Sequence, residues 1–151
     1  MTIRRSTELE EFGRRARQAF EERDNPWLEE HTASGDVLAF GTDPGEVFRG
    51  RDAVLGLTAE DIAEINERAG ITVEFDETEA YEAGDAGWIV MHGRFVLADG
   101  SSIPVRSLIV VVREDGEWKA GIRAVSVTAP NDLLTPGSPL ATTAVGSGAV
   151  G

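Results

Sequence analysis

Cysteine is absent from the chain. That excludes disulfides, thiol catalysis, iron–sulfur clusters and zinc held by thiolates. Histidine is scarce, with only His31 and His92, so a metal site would lean on carboxylates, and neither metal nor cofactor is expected. Long apolar runs are missing as well. The strongest, Leu108 to Val112, is far too short to span a bilayer. The opening MTIRRSTELEEF lacks the apolar run of a signal peptide, so a cytoplasmic location is the expectation. The signatures G-x-x-x-x-G-K-[ST], G-x-S-x-G and H-E-x-x-H do not occur. Positive charge is in deficit: 14 Lys and Arg stand against 27 Asp and Glu, a net charge of −13. A polyanion is repelled by nucleic acid and by anionic membrane, which disfavours both as partners. Solubility alone also explains the acidity.

What remains is an ordinary globular balance, 41% hydrophobic and 27% charged over 151 residues. That length fits one domain with one core. The domain is predicted over residues 1–129. Residues 130–151, dominated by Pro, Gly, Ser, Thr and Ala, read as a tail without its own core.

Thr7 and Glu10 have the spacing of a capping box, and Leu9, Phe12, Ala16, Ala19 and Phe20 follow at helical spacing. Asp24-Asn25-Pro26 ends this helix and starts a short second one, with Asn a good cap and Pro suited to the first position. Val37 to Thr42 reads as a strand, Asp43-Pro44-Gly45 as a turn, and Glu46 to Arg49 as a short returning strand. A single long helix is predicted from Arg51, with Val54, Leu55, Ile62, Ile65 and Ala69 as its stripe and Gly70 as its stop. Beyond Gly70 the period becomes two. Strands are predicted over 71–83, 86–97, 102–113 and 117–128, divided by Gly84-Asp85, Asp99-Gly100 and Asp115-Gly116. Helices first and an antiparallel meander last make an α+β layout.

The layout and three local patterns resemble the SnoaL-like branch of the nuclear transport factor 2-like, or ketosteroid isomerase-like, superfamily. The patterns are Phe40-Gly41-Thr42-Asp43-Pro44-Gly45 through Phe48-Arg49-Gly50-Arg51-Asp52-Ala53-Val54, then Gly84-Asp85-Ala86-Gly87-Trp88, then Arg113-Glu114-Asp115-Gly116-Glu117-Trp118-Lys119. The resemblance covers roughly residues 7 to 128. It implies a curved antiparallel sheet wrapped around N-terminal helices, a cone-shaped half-barrel with an internal apolar pocket, and a homodimer formed through the sheet. It leaves function open, because such folds include cofactor-free isomerases, cyclases and hydrolases as well as domains that only bind.

Strand parity supplies the site candidates. Three-residue loops at both Asp-Gly hairpins set His92 opposite Arg106, Leu108 opposite Ile122 and Arg106 opposite Ala124; a two-residue loop at either would flip the sorting. One face then carries Trp88, Val90, His92, Arg106, Leu108, Val110, Trp118, Ala120, Ile122, Ala124 and Ser126, and it resembles the family's pocket wall. His92 near a guanidinium suits a proton carrier near neutral pH, and Arg106 suits an oxyanion. Both also fit a structural role. Asp43 lies close to where the resembling isomerases keep a carboxylate base, and it is equally a turn residue. Trp27 and His31 share one face of the second helix, which lines the pocket in such folds. On the last strand, where related catalytic members place an inward acid, Ala120, Ile122 and Ala124 stand, which weakens the catalytic analogy. Two readings follow. One is a cofactor-independent acid–base enzyme acting on a small apolar or weakly anionic molecule. The other is a non-catalytic ligand-binding or protein-interaction domain.

Overall fold

A computed structural model describes residues 1–129; the expected tail over 130–151, with Leu133, Leu134 and Leu140, lies outside the described residues. Helix α1 (Thr7–Glu21) is followed by α2 (Asn25–Glu30), α3 (Arg51–Gly56) and α4 (Ala59–Ala69). The strands are β1 (Arg4–Arg5), β2 (Leu38–Phe40), β3 (Val47–Arg49), β4 (Thr72–Ala83), β5 (Ala86–Val96), β6 (Ser102–Glu114) and β7 (Glu117–Val127). They form one sheet in the order β1-β4-β5-β6-β7-β2-β3. Among the described strands only the β2–β7 pairing is parallel. This is the expected α+β architecture, with the helices packed on one face of the meander. Strand β1, two residues long, was not foreseen.

Helix starts depart from the sequence reading in instructive ways. Ser6, not Thr7, caps α1, accepting the Leu9 N–H at 3.2 Å. Ser6 is held in place because its N–H bonds Ala80 O at 2.9 Å and its hydroxyl donates to Glu82 at 2.7 Å. Glu10 pairs with Arg5 instead of closing a box. Asp24, not Asn25, caps α2, accepting from Trp27 N–H at 3.2 Å. Asn25 is thereby free to reach α4, where its Oδ1 accepts the Ala59 N–H at 3.1 Å.

The long helix predicted from Arg51 is two helices. Thr58 takes extended geometry and forms a reciprocal capping box with Asp61, starting α4 afresh. Gly70 does end α4 in the left-handed conformation, at φ 67°. Only Ala59 of α4 is buried, and Ile65 is 56% exposed.

The core lies between α1 and one sheet face. Leu9 and Ala16 pack on Ala80, Ile89, Met91, Ile109, Val111, Trp118 and Ala120. Gly13 makes the approach close: a Cβ there would sit 2.7 Å from Ile89 Cγ2. The inner face of β5 and β6 is therefore Ile89, Met91, Val105, Ser107, Ile109 and Val111, all buried.

The hairpin registers are half as expected. Leu97 N–H bonds Ser101 O at 2.8 Å, the predicted three-residue loop, and His92 does pair with Arg106. The last hairpin instead has a two-residue loop, with Glu114 opposite Glu117 and positive φ at Asp115 (52°) and Gly116 (81°). Those signs suit the tight turn that matches strand twist. A bulge in β7 at Gly121 then adds another residue, so Leu108 faces Ala124 and Arg106 faces Ser126. The two offsets together restore parity beyond the bulge. Before it, Trp118 and Ala120 turn to the inner face, opposite to the sorting predicted.

Candidate functional site

His92 and Arg106 share a sheet face, together with Trp88, Val90, Leu108, Val110, Ile122 and Ser126. That face is the outer one. The expectation that it lines the interior is reversed, because α1 covers the opposite face, where Ala80, Gly87 and Gly93 leave room for a helix and where Ile89 and Met91 are buried. On the outer face His92 Nε2 lies 3.0 Å from Glu79 Oε2, and Tyr81 donates to the other carboxylate oxygen at 3.0 Å. These two bonds, His92 first, hold the Glu79 carboxyl below the usual carboxylate range. Arg106 is exposed, and Trp88, Val90, Leu108, Val110 and Ile122 are half-buried.

The other expected residues also find their places. Asp43 is exposed in its turn, accepting the Gly45 N–H at 2.8 Å, and no other candidate joins it. Trp27 and His31 do come together: their rings stack at 3.9 Å with 12° between planes, and His31 Nδ1 lies 2.8 Å from Trp27 O. Phe12 abuts both, at 5.5 and 6.0 Å. This aromatic group closes the gap between α1 and α2 and adjoins the main core.

The interior holds a charged residue that sequence reasoning did not single out. Arg123 sits on the inner side of β7, opposite Ile109. Its guanidinium points between α1 and α2: Nη2 donates to Thr32 Oγ1 at 2.9 Å and lies 3.5 Å from Leu28 O, while the Phe20 ring lies 5.6 Å away. Among the described residues no carboxylate comes within salt-bridge distance of it, and Nε and Nη1 have no acceptor. Burial lowers its pKa to about 10, so it remains a cation at neutral pH. It borders a cavity of about 70 Å³ also lined by Asn25, Leu28, Glu29, Val54, Leu55 and Leu57. At ~30 Å³ per water that is room for two or three waters, or for a few heavy atoms of a ligand. The break between α3 and α4 places Leu57 on its wall. The signal in the sequence was a lone Arg in the last strand between Ile122 and Ala124, which alternation places on the face opposite theirs.

A wider depression, about 670 Å³ and open to solvent, lies beyond α2 and is lined by Glu29, Glu30, Glu114, Asp115 and Glu117 with Arg51 and Lys119. Two of its acids are engaged locally: Glu114 accepts from Ser34 N–H at 3.0 Å and Oγ at 2.7 Å, and Lys119 reaches Glu117 at 3.4 Å. Among the described residues no group of three or more His, Asp or Glu is arranged to hold a metal ion, and no helix is long and apolar enough to cross a membrane.

Against known proteins, the family model described as a SnoaL-like domain matches residues 10–130. No curated protein matches the chain. Among solved structures, a protein of unknown function described as NTF2-like, from Pseudomonas putida KT2440, is similar with a TM-score of 0.60 and 22% identity, covering 82% of this chain and 89% of that one. A protein of unknown function from the DUF3225 family of Pectobacterium atrosepticum SCRI1043 gives 0.61 and 18%, covering 80% and 88%. An NTF2-like protein with a cystatin-like fold from Novosphingobium aromaticivorans gives 0.55 and 15%, covering 83% and 79%. At these identities the likeness is one of fold.

Proposed function

We propose, from the premise that the chain belongs to the SnoaL-like domain family, that it is a domain that binds a small molecule between its helices and the inner sheet face. One observation carries this reading: a half-buried guanidinium, without an acid partner among the described residues, borders a small, partly open cavity walled by Leu28, Val54, Leu55 and Leu57. Keeping a desolvated cation is costly, and a binding role gives it something to do. A pKa of about 10 leaves Arg123 protonated at neutral pH, so it supplies charge and hydrogen bonds rather than a base. Binding is thus better supported than acid–base turnover. The former catalytic pair, His92 and Arg106, is on the far side of the sheet from this cavity.

Methyl-labelled protein titrated with a set of small fragments checks this. Shifts concentrated on Leu28, Val54, Leu55 and Leu57 support it. Shifts concentrated on Val90, Leu108, Val110 and Ile122 would move binding to the outer face and end the interior reading.

The outer face supports a second proposal, a homodimer through the sheet. Trp88, Val90, Leu108, Val110 and Ile122 form a half-buried apolar patch that no helix among the described residues covers. Val111 and Val125 lie on the inner side, opposite Ala120 and Ser107, so they take no part in the patch.

A further inference from the structure

We propose that the interior cavity recognises a small carboxylate, with Arg123 as its anchor and the cavity's aliphatic walls as the seat for a short apolar tail. This rests on the binding reading above and narrows it to a ligand class. A guanidinium offers five N–H donors in a rigid plane. Both hydrogens of Nη2 are directed at Thr32 Oγ1 and Leu28 O. Those on Nε and Nη1 have no acceptor among the described residues, and the half-buried group keeps contact with solvent through the cavity side. Water can satisfy them, but water does not offset the charge. An anion does both, and a planar carboxylate does so with the fork geometry a guanidinium favours.

The surroundings select among anions. Glu29 is the one carboxylate on the cavity wall, it is exposed, and it forms no ion pair with Arg123. The other side chains are Asn25 and four aliphatic residues. Both polar groups of Asn25 are already used, by Glu60 and by the Ala59 N–H. A phosphate or sulfate, with more oxygens than Arg123 can serve, would leave some of them against Val54, Leu55 and Leu57, unpaired. An alkyl tail fits the same walls. A volume of about 70 Å³ limits the tail to a few carbons unless the α3–α4 junction opens. That junction is suited to opening, because α4 buries only Ala59.

The test is calorimetric titration of the full chain with sodium acetate, sodium butyrate, butyramide and sodium phosphate at constant ionic strength, with Arg123→Met and Arg123→Lys alongside. Butyrate should bind best, gaining roughly fourfold per methylene over acetate. Butyramide, of the same shape without the charge, should bind at least tenfold more weakly. Arg123→Met should erase the preference for butyrate over butyramide while the circular dichroism spectrum stays native, and Arg123→Lys should keep part of it. Equal binding of butyrate and butyramide would overturn the carboxylate class and leave the pocket standing. Phosphate binding as tightly as butyrate would overturn the aliphatic seat. Butyrate binding unchanged in Arg123→Met would place the site elsewhere. If no probe binds, the carboxylate and the interior pocket fall together.

Discussion

At the scale of single residues, the cost of partly desolvating a charge is the main physical fact. Removing an ion from water without a partner costs on the order of several kcal/mol, and Arg123 recovers part of it from Thr32, Leu28 and the face of Phe20. Arg123→Met should therefore stabilise the free protein, by about 1–2 kcal/mol, seen as a melting temperature roughly 2–6 °C higher. A fall in melting temperature would mean that the guanidinium is already compensated. Thr32 survives the change, since its own hydroxyl donates to Leu28 O at 2.7 Å. Glu82 is the contrasting case. Ser6 first, then Arg4, holds its carboxyl below the ordinary value of 4.5. A depressed folded pKa contributes stability that is present above pH 4.5 and is lost as pH falls through the folded value. Glu82→Gln should lower the melting temperature at pH 7 and narrow the gap to wild type by pH 3. A gap that stays constant with pH would contradict this.

At the scale of elements, the close approach of α1 to β5 decides which face is inside. Gly13→Val would push a branched side chain into Ile89, where even a Cβ comes within 2.7 Å. Overpacking of this kind costs about 1–3 kcal/mol, or roughly 3–10 °C by thermal melt; an unchanged melting temperature would show that α1 can retreat freely. The existence and order of the elements were legible because long periodic segments and Gly-Asp turns carry a strong local signal. The inside face was not. Both sides of β6 are apolar, with Val105, Ile109 and Val111 on one and Leu108 and Val110 on the other, so hydrophobicity alone could not choose. The better clue was negative space: Ala80, Gly87 and Gly93 align on the helix side, while Glu77, Glu79, His92, Arg94 and Arg106 share the other. The break at Thr58 was legible in principle from Thr58 and Asp61, whose capping-box spacing competes with helix continuation. The Gly121 bulge was not, since a single glycine within a strand marks either a bulge or a mere weakness. Arg123 became visible as a site only once the bulge had set the face of β7.

At the scale of the whole molecule, the two sheet faces have separate proposed uses, ligand within and partner copy without. Sedimentation at tens of micromolar should give twice the chain mass, and Leu108→Glu should return it to the monomer with folding intact. A wild-type monomer at that concentration would remove the dimer and leave the interior site untouched. The measurement that bears most directly on the interior site is the side-chain nitrogen NMR signal of Arg123 near pH 7, before and after sodium butyrate. A charged guanidinium facing the cavity should show an Nε–H whose exchange with water slows and whose resonance moves on titration, together with the methyls of Val54 and Leu57. An Nε–H that stays still while outer-face signals such as Val90 and Leu108 move would contradict it.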